Sequence, residues 1–409
     1  MAESKWKILW VKSGPLHPPD TGGKIRTLQM LREISRRHEV TYLSLKPAHE
    51  PLHDDEDRDS YAAKKVWIEH EQAPRRSLKF FAQLAGNALS SKPYALSRYY
   101  SSACRDELLT LNEAGLFDLI VSDFLPPAQH FTGWHRRTPT VLFQHNMESQ
   151  IWKRMAANHS SRWARMYFSL QHRRMLRWEK LLSARFDGVI TVSPEDSRFA
   201  REHYGLMNVL GEVPPGVDTE FFRPSINEKM ISPRLAFLGS MDWLPNGEGA
   251  LWFAREVLPR IRESVPEAKL RIIGRRPATE VRRLAEQDEN IEVTGTVDDV
   301  RPWLADCAAM VVPLLSGGGT RIKILEAMAQ GLAVISTTVG AEGLPFENGK
   351  HLMLADDPAS LAEVCVRLMN DAAKRDLLAM AARDEVVARY SWAAAAEKFC
   401  TLCERVRRL

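Results

Sequence analysis

The chain has no apolar run of about 18 residues, so neither a membrane span nor a secretory leader is expected. Its first residues, Lys5-Trp6-Lys7, lead straight into the strand-like Ile8–Val11. Cysteine is scarce. Five cysteines, at positions 104, 307, 365, 400 and 403, lack the even, regular spacing of a disulfide framework. That points to reduced thiols in a cytosolic setting. Cys400 and Cys403 form a CxxC without a second pair, in an Ala-rich helical tail, which reads as a buried or idle pair. Excess charge of one sign is also missing, since 56 basic against 52 acidic side chains give a net charge of +4. So small an excess over this length does not imply nucleic acid, and any basic function must be local. No GxGxxG, no P-loop, no short repeat and no low-complexity segment is present.

What is present is alternation. At 409 residues, with 44% hydrophobic and 26% charged side chains, the chain has the length and composition of two soluble domains. Short apolar runs alternate with amphipathic stretches, the pattern of parallel α/β layers. Strands are expected at 7–11, 39–45, 119–122, 140–144 and 188–192, with a helix over 27–37. Val213-Pro214-Pro215-Gly216-Val217-Asp218 breaks the pattern, which then restarts. Strands follow at 234–238, 269–273, 291–294, 308–312 and 333–336, with a helix over 248–264. The expected fold is therefore α/β, with two Rossmann-like doubly wound domains over 1–215 and 216–389. A terminal helix at about 390–409 is expected to pack back on the first domain. Asp54–Asp59 reads as a solvated loop, and its DxD, Asp57-Arg58-Asp59, carries little weight as a metal site inside a run of charge.

Three segments carry candidate chemistry. Ser316-Gly317-Gly318-Gly319-Thr320-Arg321-Ile322-Lys323-Ile324-Leu325-Glu326 lies between a buried strand and a helix. Glycines let backbone amides approach a ligand, and a helix N-terminus favours an anion at the same point. Arg321 and Lys323 add full charges suited to a diphosphate. At about 100° per residue, Ile322, Ile324, Leu325 and Met328 share one side of the helix, and Lys323, Glu326 and Gln330 the other. Arg321 then belongs in the loop or first turn. An ionised Glu326 accepts two hydroxyls, as a ribose offers. The bland reading is a solvated Lys323–Glu326 pair beside a turn. Pro18-Pro19-Asp20-Thr21-Gly22-Gly23-Lys24 puts a glycine pair at the carboxyl end of the first strand, where open α/β sheets bind ligands; a surface turn uses the same residues. Phe143-Gln144-His145-Asn146-Met147-Glu148 puts a histidine at another strand end, able to donate to a sugar hydroxyl or to serve only structure.

Together these segments resemble the GT-B glycosyltransferases of the large retaining group known as family 4, especially bacterial sugar transferases associated with exopolysaccharide gene clusters. The resemblance rests on the order Gly22-Gly23, His145-Asn146-Met147-Glu148-Ser149, Pro215-Gly216-Val217-Asp218, Gly239-Ser240-Met241-Asp242-Trp243-Leu244-Pro245-Asn246, and the glycine segment leading to Glu326. It implies two Rossmann-like domains facing a central cleft, and transfer of a sugar from a UDP- or GDP-type donor to an acceptor hydroxyl, without a metal or other cofactor. It further implies that Gly22 and Gly23 border the diphosphate and the acceptor, and that His145 bonds the donor sugar. Ile273, Gly274, Thr296 and Val297 would frame the base. Gly317, Gly318, Gly319 and Thr320 would line the transferred sugar, Arg321 and Lys323 would neutralise the departing phosphate, and Glu326 would hold the ribose. Two departures stand out. Gly318 occupies the place of the family's first Glu, and the stretch after Gly239, where many members place an Arg and a Lys, reads Ser240-Met241-Asp242 with Asn246-Gly247 further on.

The stretch 151–180 carries eight Lys or Arg against the single acid Glu179, with Trp152, Trp163, Tyr167, Phe168 and Trp178 among them. Met175, Trp178 and Leu182 follow helical spacing toward a core. The basic side suits an anionic membrane surface or a lipid-linked acceptor, or is a solvated helix face. The expected partners are a nucleotide-sugar donor and a glycan or lipid-linked acceptor, with no nucleic acid. The expected location is cytoplasmic, peripheral at the inner membrane face. Two rival readings stay open: a nucleotide-sugar 2-epimerase on the same plan, and a non-catalytic partner subunit of this fold.

Overall fold

The computed structural model describes residues 5–19, 21–48, 61–73, 77–88, 90–132, 137–158, 161–224, 232–316 and 321–407. They form two compact units, one of residues 1–214 with 395–409 and the other of residues 215–394. The acidic loop at 54–59 and its DxD lie outside the described residues.

The first unit is a seven-stranded, all-parallel sheet. Its strands are β1 (Lys7–Lys12), β2 (Glu39–Lys46), β3 (Lys64–Glu69), β4 (Leu119–Asp123), β5 (Thr140–Phe143), β6 (Gly188–Thr191) and β7 (Val209–Glu212), in the order β3-β2-β1-β4-β5-β6-β7. Parallel sheets are covered on both faces, so their central strands read as continuous apolar runs. Ile8-Leu9-Trp10-Val11 and Leu119-Ile120-Val121 are accordingly fully buried. The helix Gly22–Ser35 follows β1 and begins five residues earlier than the apolar spacing suggests, so Gly22 and Gly23 occupy its first turn. The helix Trp392–Arg407 delivers Phe399 into this unit's core, with ring centroids 5.4 Å from Trp10 and 5.1 Å from Phe143.

The second unit repeats the plan with six parallel strands. These are β8 (Ser232–Leu238), β9 (Lys269–Ile273), β10 (Ile291–Gly295), β11 (Cys307–Val312), β12 (Val334–Ser336) and β13 (Met353–Leu354), in the order β10-β9-β8-β11-β12-β13. The helical stretch expected over 248–264 starts at Leu244 and widens into a π turn at Phe253–Val257 before continuing as Leu258–Ser264. Pro259 has no N–H to give the preceding turn, and the wider turn accommodates that loss. The ends of β8 and β9 pass so closely that a Cβ on Gly274 would lie 1.7 Å from the Gly239 carbonyl oxygen. Only glycine fits there.

In both sheets the order reverses direction once, between β1 and β4 and between β8 and β11. Crossovers on either side of such a switch diverge and leave a crevice at the strands' carboxyl ends. Among the described residues no helix is long and apolar enough to cross a membrane, and no cysteine forms a disulfide.

Phe399→Ala empties a fully buried ring site between Trp10 and Phe143. A loss of about 3–5 kcal/mol is expected in urea unfolding. A loss below about 1 kcal/mol would mean that the tail helix contributes little to this core.

Candidate functional site

At the first switch point the carboxyl ends of β1 and β4 bring Lys12 beside Asp123. Lys12 Nζ lies 3.0 Å from Asp123 Oδ2. The Trp10 indole N–H donates to the same oxygen at 2.9 Å, and the Thr27 hydroxyl donates to it at 2.5 Å. Burial alone would raise the Asp123 carboxyl, but Lys12, His145 and the Thr27 bond hold it well below the usual carboxylate range. His145 Nε2 sits 2.6 Å from Asp123 Oδ1, a close contact off the line of a good hydrogen bond. Burial pushes the His145 imidazole down to about 4 despite Asp123, so it is neutral at pH 7. With His145 neutral, Lys12 supplies the counter-charge that keeps Asp123 ionised.

The other ring nitrogen of His145 faces the helix Gly22–Ser35, since a Cβ on Gly23 would lie 3.9 Å from Nδ1. Thr21 gives that helix no side-chain cap. Arg26, one turn along, is buried, stacks over the Phe143 ring at 4.8 Å and donates to the Val213 carbonyl. Burial lowers its guanidinium to about 10 against the pull of Asp123 and Asp196.

The loop after β5 is fixed from below by Glu179. Its carboxylate accepts from the Gln144 side chain at 2.5 Å, from the Glu148 and Ser149 amides at 2.8 and 2.9 Å, and from the Tyr204 hydroxyl at 2.6 Å. Two of these donors open the helix Glu148–Asn158. A carboxylate at that point satisfies N–H groups that a helix leaves unpaired. Burial, with Glu179 nearby, raises the Glu148 carboxyl to about 7.

At the second switch point β8 runs into Gly239, and β11 leads toward the helix Ile322–Ala329. Gly317, Gly318, Gly319 and Thr320 lie outside the described residues. Ile324, Leu325 and Met328 are buried, while Lys323 and Glu326 occupy the partly open side. Gln330, expected beside them, instead caps the helix end with its side chain donating to the Arg301 carbonyl at 2.8 Å. Lys323 Nζ donates to Asn246 Oδ1 at 2.9 Å and sits 4.8 Å above the Phe237 ring. Asn246 is itself pinned, its Nδ2 donating to the Ser240 carbonyl at 2.9 Å. Burial and then Arg321 push the Lys323 ammonium down to about 7, and burial raises the Glu326 carboxyl to about 7. Arg321 occupies the N-cap position of this helix but turns inward, donating to the Val339 carbonyl at 2.7 Å.

The positions expected to frame a base divide. The Ile273 side chain is fully buried, leaving only its backbone near the edge. Gly274 donates to the Gly295 carbonyl at 3.1 Å. Thr296 lines a cleft of about 530 Å³ with Arg276, Pro277, Arg282 and Thr294, and Val297 packs partly against the core. Sequence reasoning overlooked Lys12, Arg26 and Asp123, named Asn246 in a motif without a role, and took Glu179 only as a lone acid in a basic stretch.

Two family models match the chain. Residues 21–221 match that of Glycosyltransferase Family 4, and residues 232–371 that of Glycosyl transferases group 1. The chain belongs to the family 4 type of glycosyltransferases. A phosphatidyl-myo-inositol mannosyltransferase of Mycobacterium leprae is 31% identical over 228 residues, which cover 54% of this glycosyltransferase and 59% of that protein. A GDP-mannose-dependent monoacylated alpha-(1-6)-phosphatidylinositol monomannoside mannosyltransferase of Corynebacterium glutamicum is 27% identical, covering 53% and 62%. The chain thus spans about six-tenths of the length of the curated relatives it matches. Among solved structures, sucrose-phosphate synthase from Thermosynechococcus elongatus superposes with a TM-score of 0.63 at 16% identity, covering 98% of this chain and 99% of that one. Anabaena HepE, in complex with UDP and glucose, gives a TM-score of 0.59 at 15% identity, again with 98% and 99% covered. At these identities the likeness establishes the GT-B fold.

Lys323 titrates lower when folded than when unfolded, about 7 against 10.5. The folded state therefore holds fewer protons between those values, and its stability rises with pH across that window. Below pH 7 the cost of burying the charge is present in full. Lys323→Met is thus expected to raise the melting temperature at pH 6, with the gain shrinking toward pH 10. A gain independent of pH would contradict the lowered ammonium.

Proposed function

We propose that this glycosyltransferase transfers a sugar, with retention of anomeric configuration and without a metal, from a nucleoside diphosphate donor to an acceptor hydroxyl in polysaccharide or glycoconjugate assembly. The observation that carries the reading is the polar edge of the second unit. Lys323, held by Asn246, and Glu326 share the open side of a helix that starts at the β8/β11 switch point. A pyrophosphate there would restore the proton that burial takes from Lys323. Ionised Glu326 would accept both hydroxyls of the adjacent ribose. The named donors of relatives fit this chemistry: one is GDP-mannose-dependent, and a structure of the same fold holds UDP and glucose.

In the proposed reaction the acceptor oxygen bonds to the anomeric carbon as the bond from that carbon to the diphosphate oxygen breaks. The acceptor proton passes to the departing phosphate. Charge accumulates on the diphosphate, so fixed donors aimed at it favour the transition state over the ground state. Gly22, Gly23 and neutral His145 offer amides and a ring nitrogen to the sugar and acceptor hydroxyls. Gly317, Gly318, Gly319 and Thr320 would supply further amides, and Ile273, Gly274, Thr296 and Val297 would border the base. Arg321 adds a second positive charge beside Lys323, repelling it until a diphosphate screens both, while its own hydrogen bond points inward.

The acceptor side of the reading includes an anionic membrane surface or a lipid-linked substrate. The outward face of the helix Arg162–Ser183 presents Trp163, 76% exposed, Met166, 62% exposed, and Leu170, beside exposed Arg162, Arg165, Arg173, Arg177 and Lys180. Large apolar tips flanked by cations suit the boundary of an anionic bilayer. The opposite face, with Met175, Glu179 and Leu182, is buried.

Lys323→Ala and Glu326→Ala are each expected to lower sugar transfer by roughly 100-fold or more while the far-ultraviolet spectrum is kept. Near-normal transfer by both variants would defeat the assignment. In flotation, the protein is expected to rise with phosphatidylglycerol vesicles and not with phosphatidylcholine ones. Trp163→Ala and added salt should each release it. Equal behaviour with both lipids would remove the membrane from the reading.

A further inference from the structure

The cations of the second unit's carboxyl edge are unevenly placed for gripping a pyrophosphate. Arg321 spends its Nη2 donor on the Val339 carbonyl, within 4.0 Å of Glu342. Lys323 is half-buried and near its titration midpoint at neutral pH. A ligand carrying two or more negative charges needs a permanent cation that is not turned inward.

The turn that follows β9 supplies one. Gly274-Arg275-Arg276 is tied to the turn that follows β8, since Gly239 N donates to the Ile273 carbonyl at 2.9 Å and Met241 N to the Arg275 carbonyl at 3.0 Å. The absence of a Cβ at Gly274 lets these two turns touch. Arg275 Nε donates to the Ser240 hydroxyl at 3.2 Å and lies 3.8 Å from Asp242. Its two Nη groups have no protein partner among the described residues, and its side chain is 59% exposed. Arg276 lies 3.6 Å from the same carboxylate and holds a left-handed backbone, φ 50°, which costs a side-chain-bearing residue energy unless its surroundings enforce it. Asp242 thus neutralises one of two arginines, and a net positive charge remains. Ser240 links this turn to the other cation, because its carbonyl accepts from Asn246, which accepts from Lys323.

Resting on the nucleotide-sugar reading above, the geometry points to Arg275 as a second phosphate-binding residue, oriented by the Ser240 hydroxyl so that its free Nη edge meets the donor's pyrophosphate. Two parallel N–H donors on a rigid plane match a phosphate's oxygens, and a guanidinium keeps its charge at any working pH. Lys323 and Arg275 then stand at the two ends of the Asn246–Ser240 relay. The cleft lined by Arg276, Pro277 and Thr296 continues from the same turn and leaves room for the nucleoside.

The test is a titration of wild type, Arg275→Ala and Arg275→Lys with UDP, GDP, uridine and guanosine, at two salt concentrations. Arg275→Ala is expected to weaken the tighter diphosphate about tenfold. It should flatten that ligand's salt dependence and leave the matching nucleoside unchanged, with Arg275→Lys falling between. Equal weakening of nucleoside and diphosphate would make Arg275 a scaffold for the turn, and unchanged affinities would remove it from the site; either overturns the inference while the nucleotide reading stands. If wild type binds none of the four, the nucleotide reading itself fails and Arg275 falls with it. A lowered melting temperature in Arg275→Ala would shift the comparison to Arg275→Lys, which keeps the charge and loses the paired geometry.

Discussion

An all-parallel sheet cannot be built from hairpins. Each strand must be followed by a crossover, and right-handed crossovers put successive helices on one face until the order turns back. Where it turns, between β1 and β4 and again between β8 and β11, no crossover covers the strand ends. The Lys12–Asp123 and Lys323–Asn246 clusters sit at those two places. Lys12 and Asp123 end adjacent strands of the first sheet, with the helix bearing Gly22 and Gly23 opening beside them. Gly239 follows a central strand of the second, beside Asn246 and Lys323.

The two switch points handle charge differently. In the first unit Lys12, Trp10 and Thr27 converge on one oxygen of a fully buried carboxylate, and the neighbouring histidine is kept neutral. Such a centre is stiff, and its protonation is fixed across ordinary pH. In the second unit Lys323 and Glu326 are partly desolvated and both titrate near neutrality. A ligand there would change their charge on arrival. One centre orients; the other responds.

Much of the architecture was legible because parallel strands buried on both faces leave unmistakable apolar runs, as in Ile8-Leu9-Trp10-Val11 and Cys307–Val312. The strands that escaped notice lack that signature. β3, Lys64–Glu69, is an edge strand with no fully buried residue, and β7, Val209–Glu212, is a short edge strand interrupted by Gly211. The pairing of Lys323 with Glu326 on one helix face was legible because three-residue spacing is a local property. The contacts of Asp123 with Trp10, Arg26 with Val213 and Asn246 with Lys323 were not, because those partners lie 113, 187 and 77 positions away along the chain. Glu179 did leave a trace, since it falls on the same stripe as Met175 and Leu182, where a carboxylate is out of place without buried donors.

The return of the helix Trp392–Arg407 to the first unit has a bearing on biosynthesis. Residues 215–394 form a contiguous body and can close as soon as they leave the ribosome. The first unit is translated earlier but lacks Phe399, which packs against Trp10 and Phe143, until the tail has emerged. Trp10 is also the indole that steadies Asp123. The nascent protein therefore finishes its oldest half last, and its buried carboxylate gains a settled wall only after the whole second unit has been made.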